Sequence, residues 1–209
     1  GFPLTHRQDA EAELIDVLFR LAQFQFGMLC GGYALRGAIA VGDAYVDPEI
    51  FFGSALIEAH EAETQLALFP RMVLSASAAE HLKNCVQHYP KLEDSPQYDL
   101  LLQDSDGQLF LDYLEQTILI AEKETGPFYD ELKTHRNIVE TKLRENSGVP
   151  KAQAKYLWIA NYHNSFCERH QQYFDKSYQI NLSEFRHISF PTPLSADQCR
   201  GTTHMGRRP

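Results

Sequence analysis

Tyr33-Ala34-Leu35-Arg36-Gly37-Ala38-Ile39-Ala40-Val41-Gly42 is a short apolar run bounded by glycines, and it reads as a strand buried on at least one face. Before it, apolar residues at Leu14, Ile15, Val17, Leu18, Leu21, Ala22, Phe24, Phe26 and Met28 recur close to every 3.6 positions, with acids gathered at the start. That spacing predicts an amphipathic helix over 9–29, stopped by Gly31-Gly32. After it, 43–52 reads as a loop or hairpin arm. Helical periodicity returns over 53–68 through Ala55, Leu56, Ala59, Ala62 and Leu66, and Phe69-Pro70-Arg71-Met72-Val73-Leu74-Ser75 reads as the next strand. Helix, strand, arm, helix and strand in that order predict an α/β (α+β) fold.

The rest of the chain follows from its turn signals. Residues 77–89 read as a helix and 90–97 as a loop. The segments 98–102 and 108–111 flank Asp104-Ser105-Asp106-Gly107, whose Asp-Gly favours positive φ at a hairpin tip. Three helical stretches follow, over 112–125, 128–145 and 151–173, separated by Gly126-Pro127 and Gly148-Val149-Pro150. The expected architecture is a mainly antiparallel sheet flanked by helices over 1–111, a helical extension over 112–190, and a disordered tail over 191–209. Gly1-Phe2-Pro3-Leu4 reads like the end of a strand, so the front of the domain is expected to precede it.

Composition narrows the function classes. The 209 residues are 44% hydrophobic and 22% charged, ordinary for a globular protein, with no apolar run of the roughly 18 residues that a membrane span requires. The net charge of -9 disfavours a surface devoted to nucleic acid, which needs clustered cations, but leaves room for a local pocket for one nucleotide. Cys30, Cys85, Cys167 and Cys199 form no CxxC pair, which argues against a zinc ribbon or redox motif and fits a reduced, cytoplasmic setting.

Several residues have both a functional and a structural reading. Arg36, just before Gly37, is a forked permanent cation able to hold phosphate or a base carbonyl, or simply to pair with a nearby acid. Gly37, Gly42 and Gly53 permit close backbone approach to a ligand, or tight turns and packing. Asp43, Asp47 and Glu49 are better explained by a solvated hairpin than by a metal. Arg71 suits a phosphate or an interface, and a local salt bridge more readily. His135-Arg136 and the aromatic run Tyr156, Trp158, Tyr162, His163 and Phe166 suggest base stacking, but interleaved Leu157, Ile159 and Ala160 favour a packed helix face, with Trp158 and Tyr162 buried. His163 and His170 are two helical turns apart, too far for a shared zinc.

Taken together, Arg36-Gly37-Ala38-Ile39-Ala40-Val41-Gly42, Phe52-Gly53-Ser54-Ala55-Leu56-Ile57-Glu58-Ala59, Pro70-Arg71-Met72-Val73-Leu74-Ser75 and the late elements Asp106-Gly107, His135-Arg136 and 155–164 resemble the second half of a class III nucleotide cyclase. The nearer likeness is to the pyrimidine (uridylate and cytidylate) cyclases of the bacterial Pycsar antiphage system, over about 12–166. The resemblance implies conversion of UTP or CTP to a 3′,5′-cyclic monophosphate messenger and pyrophosphate by a homodimer that uses divalent metal, Mn²⁺ or Mg²⁺. It implies nucleotide contacts at Arg36, Gly37, Gly53 and Ser54, and places the family's two metal-binding aspartates before Gly1, so that the chain alone is expected to be inactive. Where the purine enzymes carry a transition-state Asn and a phosphate-binding Arg, this chain has Ile57 and Glu61. That departure fits the pyrimidine branch or a catalytically inactive, cyclase-like nucleotide sensor or dimerisation module; an unrelated α/β interaction domain is the third alternative.

Overall fold

The computed structural model describes residues 11–119, 129–183 and 192–193. The element order is α1 (Glu11–Cys30), β1 (Gly37–Ile39), β2 (Tyr45–Val46), β3 (Phe51–Phe52), α2 (Ser54–Gln65), β4 (Met72–Leu74), α3 (Ala76–Val86), β5 (Leu101–Gln103), β6 (Leu109–Leu111), α4 (Gln116–Leu119), α5 (Tyr129–Glu145), α6 (Pro150–Arg169) and β7 (Thr192–Pro193), with short 3₁₀ turns at Leu92–Asp94 and Lys176–Tyr178. This is a mixed α/β fold. The main sheet has the order β1-β4-β6-β5-β7, and β2 and β3 form a separate two-stranded ribbon. β1 and β4 are parallel, whereas the β4–β6, β5–β6 and β5–β7 pairs are antiparallel.

The strand expected over 33–42 is reduced to Gly37–Ile39, for a visible reason. After Leu74 the partner strand β4 gives way to α3, where the Ser75 side chain caps the helix by accepting from Ala78 N–H. Beyond Ile39 no ladder remains, and the Val41 N–H donates to Ser77 Oγ at 3.0 Å. At the other end, the buried Gln25 amide of α1 donates to the carbonyls of Leu35 (3.4 Å) and Pro70 (3.3 Å), tying the helix to the entry of both parallel strands. The Asp-Gly hairpin is present between β5 and β6, with Gly107 at φ 83°. Within 112–125 the described helix is Gln116–Leu119; 120–128 lies outside the described residues. Residues 1–10 and the expected tail, apart from the β7 pair, also lie outside them. α6 ends at Arg169, short of Tyr173.

One hydrophobic core runs from Leu14 and Leu18 of α1 through Val73, Phe110 and Leu111 of the sheet to Leu132 and Val139 of α5 and Ile159 and Phe166 of α6. Trp158 and Tyr162 lie in it, as the helical spacing predicts. The Trp158 ring stacks on Phe69 (centroids 5.9 Å apart) and Tyr162 (5.5 Å) and meets the edge of Phe110. Among the described residues no helix is long and apolar enough to cross a membrane. Because Trp158 fills the junction of sheet and α6, we expect Trp158→Ala to cost about 3–5 kcal/mol, as large core truncations do; urea unfolding followed by circular dichroism measures this.

Candidate functional site

The four residues expected to touch nucleotide flank the packing of α2 on β1. Arg36 Nε lies 2.6 Å from Glu63 Oε1, both side chains partly exposed, so its nearest partner is an acid of α2. Gly37 opens β1 and donates its N–H to the Arg71 carbonyl at 3.1 Å. Gly53 precedes α2 with φ 151°. A Cβ there would run into the Asp43 carbonyl oxygen and lie 2.7 Å from Ala44 Cα, so the close approach of the hairpin base requires glycine. Ser54 Oγ reaches the same Asp43 carbonyl at 3.5 Å. The arrangement separates them. Gly53 and Ser54 start α2, while Arg36 meets it at Glu63, nine residues on and about 14 Å along the axis.

Neighbouring acids are also engaged locally. The Asp47 carboxylate accepts from Glu49 N–H (2.8 Å) and Ile50 N–H (2.7 Å), closing the hairpin turn, and these bonds hold its pKa below the usual range. Glu58 accepts from Ser77 N–H at 2.9 Å at the start of α3; that bond, helped by the Ser75 hydroxyl, lowers its pKa. Ile57 is 62% exposed.

Arg71 takes the local reading. Its side chain is wholly buried and ion-paired to Asp104 and Asp106 across the sheet, with a further bond to the Leu66 carbonyl at 3.3 Å. The guanidinium sits 5.8–5.9 Å from the ring centroids of Phe69, Phe110 and Trp158. Asp104 also accepts from Trp158 Nε1 at 2.8 Å.

The chain also builds a polar cluster that no sequence motif marks, because Asp112 and Glu115 come from a stretch about fifty residues before Tyr162, Arg169 and His170. Arg169 Nη2 is 2.6 Å from Asp112 Oδ2, and the other Asp112 oxygen accepts from the Tyr162 hydroxyl. Glu115 Oε2 lies 2.8 Å from His170 Nε2 and 4.0 Å from Arg169 Nη1. Burial raises the Glu115 pKa, opposed by the hydrogen bond from His170. They border a cleft of about 180 Å³ with Tyr98, Asp99, Leu101 and Leu102. A second cleft, of about 220 Å³, lies between Gly31-Gly32 and Lys142. Ligand pockets for drug-sized molecules span roughly 300–1,000 Å³, so neither cleft encloses a nucleoside triphosphate. Among the described residues no group of three or more His, Cys, Asp or Glu side chains converges to hold a metal ion, and Cys30, Cys85 and Cys167 are free.

No family model, curated protein or solved structure matches this chain. The different engagement of the two arginines is testable. Arg71→Ala leaves Asp104 buried without its cation and should cost about 3–5 kcal/mol. Arg36→Ala removes a partly exposed pair and should cost under about 1 kcal/mol. Paired urea titrations separate the two.

Proposed function

We propose that this chain is part of a pyrimidine nucleotide cyclase that converts UTP or CTP to a 3′,5′-cyclic monophosphate and acts as a homodimer in antiphage signalling. The observation that supports this reading most is positional. The motifs Arg36-Gly37, Phe52-Gly53-Ser54 and Pro70-Arg71 through Ser75, separate in sequence, fall on the junctions of one β1–hairpin–α2–β4 unit with β1 and β4 parallel. The divalent ions of such a cyclase find no ligand set among the described residues. The reading assigns their carboxylates to sequence upstream of Gly1, and the residues described here to packing and nucleotide contact.

A second reading, a self-associating module without catalysis, is favoured by a different feature. Tyr45 and Phe52 stack across the ribbon at 5.1 Å, Val46 faces Phe51, and all four side chains are at least 42% exposed. Leu56 and Ile57 in the first turn of α2 add to this apolar surface. A two-stranded ribbon exposed on both faces is marginal in water unless something covers it, and exposed apolar patches mark contact surfaces.

One assay separates the readings. The longest reading frame containing this chain, incubated with each of UTP, CTP, ATP and GTP and Mn²⁺, is expected to yield a cyclic pyrimidine nucleotide, and the 209-residue chain none. Preference for ATP, or turnover by the short chain at a comparable rate, would sink the cyclase reading as stated. No turnover by either, with dimers intact, leaves the association module. For the ribbon, Phe52→Ser with Ile57→Ser should shift the chain toward monomer in sedimentation velocity, with little change in unfolding midpoint.

A further inference from the structure

His135 of α5 and His163 of α6 have no solvent exposure. Their rings are 10° from parallel with centroids 5.0 Å apart, and meet edge to edge with their Nδ1 atoms 3.0 Å apart. His163 Nε2 lies 2.9 Å from the Tyr178 carbonyl oxygen, and His135 Nε2 lies 3.0 Å from the Tyr113 hydroxyl. With both rings neutral, these three hydrogen bonds admit one arrangement of hydrogens. A carbonyl oxygen only accepts, so His163 Nε2 carries the hydrogen. A neutral imidazole has one N–H, so His163 Nδ1 is bare and accepts from His135 Nδ1–H. His135 Nε2 is then bare as well, and Tyr113 O–H donates to it.

The chain of bonds tolerates no further proton without loss. A proton on His163 either sets two N–H groups against each other across 3.0 Å or forces the hydrogen of His135 onto Nε2, which reverses the Tyr113 hydroxyl. A proton on His135 reverses the Tyr113 hydroxyl and leaves a cation in a fully buried site. The surroundings do not offset this. From α1 the pair meets the Phe26 ring, with Cys30 acting on Tyr113 behind it; from the turn after β6 come Tyr113 and Asp112. α5 contributes Arg136, and α6 contributes Tyr162, against the Tyr113 ring, and Cys167, with Sγ 3.7 Å from His163 Nε2. The Lys176–Tyr178 turn presents the Tyr178 carbonyl, with Lys133 over the Tyr178 ring. The formal charge that acts directly on the imidazoles, that of Arg136, is itself positive.

We propose that the His135–His163 pair is an acid-sensitive latch, which ties α5, α6, the Tyr178 turn and the Tyr113 turn together while both rings are neutral and releases them when either is protonated. Burial holds both imidazoles below the usual histidine range; His163 drives His135 lower still, and His163 itself is held at about 4, with the Tyr178 bond opposing. Since the folded-state values are depressed, the unfolded chain takes up protons first. Stability from the pair is complete above about 6.5, the ordinary histidine value, and is lost as pH falls toward about 4.

Urea titrations at pH 6.5 and 5 test this. For one ring with these values, the unfolding equilibrium constant should rise about fifteenfold more in the wild type than in the double variant His135→Gln, His163→Gln. Long-range ¹⁵N–¹H correlation spectra of the wild type at pH 7 give a second readout that does not depend on the variant folding. They should show His135 protonated on Nδ1 and His163 on Nε2. Equal pH slopes in the two proteins, the opposite tautomer on either ring, or a charged ring at pH 7 would each overturn the latch.

Discussion

A buried guanidinium organises this molecule. Arg71 enters from just before β4 and is neutralised by Asp104 and Asp106 at the tip of the β5–β6 hairpin, so one side chain joins the parallel and antiparallel parts of the sheet. Burying an ion pair is expensive, and the expense is offset only where every strong partner is in place. Here the guanidinium lies against Phe69, Phe110 and Trp158, which suits a delocalised, weakly hydrated cation better than an ammonium. Asp104 also receives the indole N–H of Trp158, so the same carboxylate fixes α6 on the sheet.

The backbone around Arg71 extends the same junction to the first helix. Its carbonyl accepts from Gly37 N–H, and the carbonyl of Pro70 accepts from the Gln25 amide, which also reaches Leu35. β1, β4 and α1 are therefore registered within a few residues of the buried cation. The short length of both strands follows from what lies past them: β4 runs into the cap of α3, and the Val41 N–H turns to a serine side chain. α2 packs back along this unit and separates Arg36 from Gly53 and Ser54 by most of its length, so these residues serve two places on the surface.

The two faces of the chain differ in chemistry. The interior of the helical half holds buried polar chains, with Asp112 joining Tyr162 to Arg169 and two histidines running from Tyr113 to the Tyr178 carbonyl. Such networks specify one packing because a buried polar group left without its partners is costly. The β2–β3 ribbon has no such network; it is held at its base by the contact of Gly53 with Asp43 and presents aromatic side chains outward.

The sequence determined by itself those features that depend on neighbours in the chain. Apolar spacing marked α1 and α2, the breaks at Gly126-Pro127 and Gly148-Val149-Pro150 bounded α5 and α6, the Asp106-Gly107 pair marked a hairpin tip, and interleaved apolar residues marked Trp158 and Tyr162 as core. Gly53 was legible as a position of close approach, though not what approaches it. Tertiary structure alone decided which partner each charge takes. Arg71 meets acids more than thirty residues away, Arg36 is directed to Glu63, and Glu115 meets His170 across fifty-five positions. The tautomers of His135 and His163 belong to the same class, because they are set by a hydroxyl and a carbonyl that folding brings to the two ends of the pair. Local periodicity carries the direction in which a side chain points; what it meets there is a matter of distance in space, and that exists only once the sheet and helices have packed.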